Sequence, residues 1–207
     1  MMREIKEMNS GIEMNGTEKT ENAKKGSSRQ KMTTETIALI AMMTALTCVL
    51  APLSIPIGPV PISLTNLVIY FGLYILGAKK ETLSYIAYIL IGLVGVPVFS
   101  GFTGGPGKLI GPTGGYIIGF IPMAIIAGLV IDRTNGKFVP DILAMVAGTI
   151  VCYAFGTIWL AYQGQMDFMK ALFAGVIPFI PGDLMKMVLA AFFGPRIQRQ
   201  LKRVGLD

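Results

Sequence analysis

The sequence predicts an all-α integral membrane protein with six transmembrane helices and with both termini in the cytoplasm. Of the 207 residues, 53% are hydrophobic and only 14% are charged, whereas a soluble domain carries about 25% charged residues. The charges also concentrate at the two ends, so that only seven basic and six acidic residues lie within 32–193. Such a segment cannot supply the polar surface of a soluble domain, and it contains several apolar runs of membrane-spanning length.

The composition divides the chain into three regions. Residues 1–33 are rich in Glu, Lys, Asn, Ser and Thr and poor in large apolar residues, so we expect a disordered cytoplasmic tail. This region lacks the short apolar segment and cleavage site of a signal peptide. Residues 34–195 are expected to form the six-helix membrane domain, and residues 196–207 a basic cytoplasmic tail.

The first three predicted spans are the apolar runs 36–53, 62–78 and 82–98. Pro52 and Pro56 end the first run, because proline interrupts helical hydrogen bonding. The charged segment 79–81 separates the second run from the third. All three are predicted to be helices, because lipid cannot satisfy open backbone groups and none shows the strict alternation of a strand.

The last three predicted spans are the runs 114–131, 139–162 and 171–193. Asp132 and Arg133 follow the fourth run, and Gly194 with Pro195 is expected to stop the sixth.

With the N-terminus in the cytoplasm, fifteen Lys and Arg residues fall on the inner side, and only Lys108 and Lys170 fall on the outer side. This strong positive-inside bias supports the orientation. The net charge of +6 therefore reports topology and some affinity for anionic membrane lipid, and no nucleic-acid partner is expected.

The residue inventory excludes several kinds of enzyme and metal site. The chain has no His, which rules out a Ser-His-Asp triad, a His-ligated zinc and a haem with an axial His. Cys48 and Cys152 lie in apolar runs without a CxxC partner, so we interpret them as packing residues. We therefore predict no metal site.

The most costly polar group of the predicted membrane domain is Asp183 in the sixth run. It lies twelve residues past the outer start of that run, and a continuous helix would place it about 18 Å deep. A charge at that depth is unfavourable, but Lys186 lies on the same helical face and can pair with it. Pro178, Pro181 and Gly182 interrupt the helix just before this pair, as helices do where backbone lines a cavity. The pair indicates either a ligand site or a neutralised contact that fixes helix packing.

Two predicted outer segments are unusual. Residues 99–116 contain seven glycines, but Phe102 and Leu109 stand where a phosphate-binding P-loop needs Gly and Ser or Thr. The segment is therefore interpreted as a binding loop or lid, with a flexible linker as the alternative. Residues 58–66 form a stiff turn that leads Ser63, Thr65 and Asn66 into the second helix, where Asn66 by itself favours interhelical packing.

The first predicted helix carries a stripe of small residues, Ala38, Ala41 and Ala45. Such stripes let helices approach closely in a membrane. The contact could be internal or with another membrane subunit.

Three segments, GPVPISLTN at 58–66, GVPVFSGFTGGPGKLIGPTGGYIIGF at 95–120 and IPGDLMK at 180–186, resemble the BioY family. The members of this family are the biotin-specific S components of energy-coupling factor (ECF) transporters. The resemblance covers about residues 36–195, and its glycine-rich central segment is the most specific part.

The resemblance implies a six-helix protein of a prokaryotic cell membrane that is not an enzyme. It would capture biotin from outside with high affinity and release it inward. Its partners would be a transmembrane coupling subunit, contacted through Ala38, Ala41 and Ala45, and two ATPase subunits. ATP would be used only by those partners, and no cofactor is expected.

The resemblance and the chemistry of biotin together give a set of expected substrate-binding residues. Asp183 and Asn66 suit the ureido ring, which offers two N–H donors and a carbonyl; Lys186 or Lys108 suits the carboxylate. Phe99, Phe102, Tyr116 and Tyr85 are candidates for apolar walls. The expected substrate-binding residues are Asp183, Lys186, Asn66, Tyr116, Phe102, Gly105, Thr113 and Tyr85. Three alternatives remain: an S component for another small molecule, an intramembrane enzyme using Asp183 and Lys186, and a structural scaffold.

Overall fold

The computed structural model describes residues 34–134 and 136–203; the prediction of a disordered tail at 1–33 lies outside them. The described residues form seven helices and a two-stranded hairpin. The elements in chain order are α1 (Thr34–Leu50), β1 (Ser54–Ile55), β2 (Ile62–Ser63), α2 (Thr65–Leu93), α3 (Pro106–Ile110), α4 (Gly114–Thr134), α5 (Phe138–Gln163), α6 (Phe168–Gly175) and α7 (Ile180–Arg203).

Helix α2 contains the second and third predicted spans, and Gly77 divides it. Gly77 has φ +76° and ψ 171°, a conformation that glycine adopts at little cost. A Cβ at Gly72 would lie 2.0 Å from Oε2 of Glu81, although a straight helix would separate two such residues by about 13 Å. The two halves of α2 therefore turn back on each other at Gly77.

The turn at Gly77 keeps its hydrogen bonds through a neighbouring helix. Oδ2 of Asp132, near the end of α4, accepts a hydrogen bond from the backbone N–H of Ala78 at 3.1 Å. The helix resumes at once, so the charged segment 79–81, which was expected to separate two spans, is helical. Glu81 is fully buried there.

The sixth predicted span is broken, as its prolines indicated. Helices α6 and α7 are separated by residues 176–179 and meet at an angle of 48°. Asp183 consequently lies in the first turn of α7, and the continuous helix from which its depth was calculated is not present. The expected stop at Gly194 and Pro195 was also wrong, because α7 continues through Pro195 to Arg203.

The segment between α1 and α2 forms a short antiparallel hairpin that the sequence analysis did not predict. Ser54 pairs with Ser63, and Ile55 pairs with Ile62. Gly58 has φ +76° in the turn. The backbone N–H of Gly101 donates to the carbonyl of Pro52 at 3.0 Å, which joins the hairpin to the glycine-rich segment 99–116.

The core lies where α4 packs closely on α5. A Cβ at Gly119 would lie 3.1 Å from the carbonyl oxygen of Cys152, and a Cβ at Gly148 would lie 2.9 Å from that of Met123. Small residues at such contacts allow the helix backbones to approach. Tyr70, Tyr74 and Tyr85 of α2 are also buried in this core.

Two of the described helices, α4 and α5, are long and apolar enough to cross a membrane, and the bent pair α6–α7 makes up to a third. Helix α1 is a shorter apolar helix of 17 residues. The described part of the chain is thus predominantly helical and has membrane-spanning elements, as the sequence predicted.

Candidate small-molecule binding site

A cavity is enclosed by the hairpin, by α2, α4 and α5, and by the segment from α6 to α7. Its empty volume, which includes the open mouth, is about 700 Å³. Polar and aromatic side chains line it together. The residues used below are Ser63, Asn66, Tyr85, Tyr88, Thr113, Tyr116, Phe120, Thr149, Cys152, Tyr153, Gly175, Phe179, Asp183 and Lys186.

Lys186 lies at the centre of the polar part of this cavity. Its Nζ donates to the carbonyl oxygen of Ser63 at 2.8 Å, to Oδ1 of Asn66 at 3.0 Å and to Oδ1 of Asp183 at 3.0 Å. An ammonium group has three N–H donors, so these acceptors occupy all of them. The network joins the end of the hairpin and the start of α2 to the first turns of α7.

Asp183 is held on both carboxylate oxygens. Besides the ion pair with Lys186, its Oδ2 accepts a hydrogen bond from the hydroxyl of Tyr153 at 2.6 Å. An ionised carboxylate offers about four acceptor positions, so Asp183 can still accept from a ligand N–H. Asn66 uses its Oδ1 for Lys186 and for the backbone N–H of Leu67. Within residues 34–134 and 136–203 its amide nitrogen has no partner and can donate to a ligand.

An aromatic wall faces this polar network. The ring of Tyr85 packs at 5.4 Å from Tyr88 and meets Phe120 edge-on at 5.9 Å, between ring centroids. The hydroxyl of Tyr85 donates to the carbonyl of Ile117 at 3.0 Å. The wall therefore supplies aromatic ring surface to the cavity.

Tyr116 is fixed by two glycines of neighbouring helices. A Cβ at Gly156 of α5 would lie 2.2 Å from its ring, and a Cβ at Gly175 of α6 would lie 2.1 Å from its hydroxyl oxygen. The absence of a side chain at these positions makes room for the ring. Within the described residues, the hydroxyls of Tyr116 and Thr113 are buried without a hydrogen-bond partner.

Six of the eight predicted substrate-binding residues line this cavity: Asp183, Lys186, Asn66, Tyr116, Thr113 and Tyr85. Phe102 does not, because its backbone has φ +55° and its side chain is 65% exposed beside the hairpin. Gly105 does not line the cavity either. It is the N-cap of α3. Phe99 packs edge-on against Tyr88 instead, at 5.6 Å between centroids.

Lys108 also lies outside the lining of the cavity. Its side chain is half-buried in α3, and this burial lowers the pKa of its ammonium group. The alternative cation for a ligand carboxylate is therefore not part of the cavity wall.

Three further cavity residues, Tyr153, Thr149 and Cys152, were not predicted from the sequence. All three line the cavity from α5, where they occur at spacings of three and four residues and so share one helix face. That face carries the polar groups of an otherwise apolar helix, a signal that could have identified it. No group of three or more potential metal-ligating side chains is found in the part of the chain that the structure describes.

The small-residue stripe of α1 is on an open surface. Ala38, Ala41 and Ala45 are exposed, as are the neighbouring Ile37 and Met42. The opposite face of α1 packs against α2, where the hydroxyls of Thr44 and Ser84 lie 3.0 Å apart. Among the described residues, the stripe therefore has no internal packing role.

Known proteins share this sequence and fold. The model of the BioY family matches residues 23–203. Biotin transporter BioY of Thermotoga maritima is 40% identical over 76% of this chain and 92% of its own length. Probable biotin transporter BioY of Pyrococcus horikoshii is 39% identical over 81% of this chain and 98% of its own length.

A crystal structure at 2.1 Å of the S component for biotin from an ECF-type ABC transporter has a similar fold. It superposes with a TM-score of 0.75 at 31% identity, covering 84% of this chain and 94% of the other. The chain belongs to the BioY family, and it is a multi-pass membrane protein.

Proposed function

We propose that the chain is the substrate-binding S component of an ECF-type transporter and that it captures biotin from outside the cell. The observation that carries the proposal is the Asp183–Lys186–Asn66 network in the wall of the cavity. The biotin transporters among its relatives and the biotin S component of similar fold support the choice of substrate.

The unused hydrogen-bonding capacity of the network suits the ureido ring of biotin. The ring offers two N–H donors and one carbonyl acceptor, and the cavity offers the free acceptor positions of Asp183 and the free amide nitrogen of Asn66. Lys186 orients the buried carboxylate through its ion pair, and the pairing matters because an unpaired buried charge would be costly. The apolar bicycle of the ligand would pack on Tyr85 and Phe120.

We infer that transport depends on partner subunits. The relatives include a biotin S component of an ECF-type ABC transporter, and the exposed stripe at Ala38, Ala41 and Ala45 would contact the transmembrane coupling subunit. Two ATPase subunits would supply the energy, so that the chain itself catalyses no reaction and needs no cofactor. In this proposal the chain crosses the plasma membrane six times, and both termini are cytoplasmic.

The test is a calorimetric titration of biotin into the detergent-purified protein, with thiamine as the control ligand. We expect nanomolar biotin binding and no heat from thiamine. The Asp183→Ala variant should bind biotin at least about 100-fold more weakly, because it removes a charged acceptor and leaves Lys186 buried without its ion pair.

Each other outcome identifies an alternative. Binding of thiamine without biotin would keep the S-component assignment and overturn the substrate. The absence of binding by folded wild-type protein would favour a structural scaffold. Chemical conversion of biotin during the titration would favour an intramembrane enzyme that uses Asp183 and Lys186.

A further inference from the structure

Two buried hydroxyl groups form a second polar region of the cavity, apart from the Lys186 network. They belong to Thr113 and Tyr116, whose residues are each only 7% exposed. Within residues 34–134 and 136–203, neither hydroxyl oxygen has a hydrogen-bond partner. A buried hydroxyl without a partner is costly, and in native proteins such groups call for an explanation.

Thr113 precedes α4 but does not cap it with its side chain. Its backbone carbonyl accepts hydrogen bonds from the N–H groups of Tyr116 and Ile117 at 3.1 and 3.2 Å. A threonine at this position ordinarily turns its hydroxyl toward the first N–H groups of the helix. Here the hydroxyl has no such bond and lines the cavity instead.

Tyr116 places its hydroxyl close to that of Thr157 on α5, but the two are not in hydrogen-bond geometry. Its ring lies against Gly156, and its hydroxyl oxygen lies against Gly175, another residue of the cavity wall. A phenylalanine would fill the same space, so packing does not account for the hydroxyl. A ligand atom that accepts a hydrogen bond would account for the hydroxyl.

Lys186 is not available for the acidic group of a ligand. Its three N–H donors are already directed to Ser63, Asn66 and Asp183, and Asp183 would repel a second carboxylate. Lys108 lies outside the cavity wall. The cavity thus has no free cation among the described residues, and another kind of donor must receive an anion.

We propose that the hydroxyls of Thr113 and Tyr116, at the N-terminus of α4, bind the carboxylate of the ligand. This inference rests on the proposed function, in which the ligand is biotin with its valerate chain. Two O–H donors to a carboxylate form strong charge-assisted bonds. The N-terminus of the 21-residue helix α4 adds the positive end of its dipole, which favours an anion.

The test compares biotin with biotinamide, in which a neutral carboxamide replaces the carboxylate. Wild-type protein should bind biotin more tightly than biotinamide. Thr113→Val and Tyr116→Phe should each weaken biotin binding about tenfold or more, the value of a hydrogen bond to a charged group. Both variants should lose less affinity for biotinamide than for biotin, because a hydrogen bond to a neutral carbonyl is weaker than one to a carboxylate, so the preference for biotin falls.

Two further variants separate this role from general damage to the cavity. Thr113→Ser keeps the hydroxyl and should retain the preference for biotin. Tyr85→Phe removes a hydroxyl that is already bonded to the carbonyl of Ile117, so it should change the affinities for the two ligands by the same factor. Continued binding of biotinamide by Thr113→Val and Tyr116→Phe shows that these variants are folded.

An unchanged preference for biotin in both Thr113→Val and Tyr116→Phe would overturn the inference while leaving biotin capture in place. Equal affinities of wild-type protein for biotin and biotinamide would do the same. Failure of wild-type protein to bind either ligand would overturn the proposed function, and this inference with it.

Discussion

At the scale of single residues, Asp183 and Lys186 form the centre of the polar network of the cavity. The spacing of Asp183 and Lys186 places them on one helix face, and the structure shows the ion pair at 3.0 Å. The other partners of this pair are distant in the chain. Ser63 and Asn66 are more than one hundred residues away, and Tyr153 lies on another helix. Such contacts depend on helix packing, which local spacing does not encode.

The hydrogen bond from Tyr153 to Asp183 leads to a first prediction. It fixes the second carboxylate oxygen of Asp183 at 2.6 Å, so Tyr153→Phe should leave the carboxylate less well oriented for the ligand. We expect the Kd for biotin, measured by calorimetry, to rise about tenfold, in line with the loss of one charge-assisted bond.

Tyr70→Phe is the matched control for this prediction. It removes a buried tyrosine hydroxyl that lies 2.6 Å from Oγ1 of Thr149 and makes no bond to Asp183. This variant should unfold more easily but should keep the affinity for biotin. Equal losses of affinity in the two variants would show that Tyr153 acts only through general packing.

At the scale of helices, the sequence predicted which segments are helical better than it predicted where those helices end or bend. The expected break before Asp183 was confirmed: Pro178 lies between α6 and α7, and Pro181 lies in the first turn of α7, where its missing N–H costs little. The charged segment 79–81 was expected to separate two spans, but it is helical. The turn is made instead by Gly77, and Asp132 satisfies the next backbone N–H. The conformational preferences of proline and glycine are local and can be predicted from the sequence. The hydrogen bond from Ala78 to Asp132 depends on how α4 packs against α2, which the local sequence does not show.

The close contact between α4 and α5 gives a second prediction. Gly156→Ala would place a Cβ about 2.2 Å from the ring of Tyr116, so α5 or the tyrosine must move. Overpacking of this kind costs about 1–3 kcal/mol. We expect a lower midpoint of thermal unfolding in detergent, together with weaker biotin binding because Tyr116 lines the cavity.

Gly107→Ala is the control for this substitution. A Cβ at Gly107 meets nothing within 4 Å, and alanine favours the helical conformation of α3. Its unfolding midpoint should equal or slightly exceed that of wild type. A Gly156→Ala variant as stable as Gly107→Ala would contradict the packing described for Tyr116.

The open face of α1 gives a third prediction. Ala41→Trp places a large side chain in the stripe of small residues, where it would hold the coupling subunit away. Biotin binding by the isolated protein should persist, because the cavity does not include α1. Co-purification with the coupling subunit and ATP-dependent biotin uptake in proteoliposomes should both be lost.

Leu143→Trp serves as the control for Ala41→Trp. Leu143 is also exposed, but on α5, and a tryptophan there should leave assembly and uptake intact. Loss of assembly in both variants would indicate a general effect of a bulky exposed residue and would remove the assignment of the stripe.

At the scale of the whole molecule, the charge pattern of the sequence and the lengths of the described helices indicate different numbers of membrane crossings. Charge counting predicts six crossings, because fifteen basic residues fall on one side only if every run spans. Length and composition of the described helices identify α4, α5 and the bent pair α6–α7. The difference comes from α1, which has 17 residues, and from α2, whose two halves meet at Gly77. A direct measurement of sidedness can decide between the two numbers.

Cysteine labelling in intact cells provides this measurement and the last prediction. In a background with Cys48→Ala and Cys152→Ala, single cysteines would be placed at positions exposed in the structure. Six crossings with cytoplasmic termini predict that a membrane-impermeant maleimide labels cysteines at the outer positions, Ile57, Gly107 and Gln163. Cysteines at Lys79, Lys137 and Arg199 should react only after the membrane is permeabilised. If position 79 reacted in intact cells, the two halves of α2 would not each cross the membrane, and the number of crossings would fall to four.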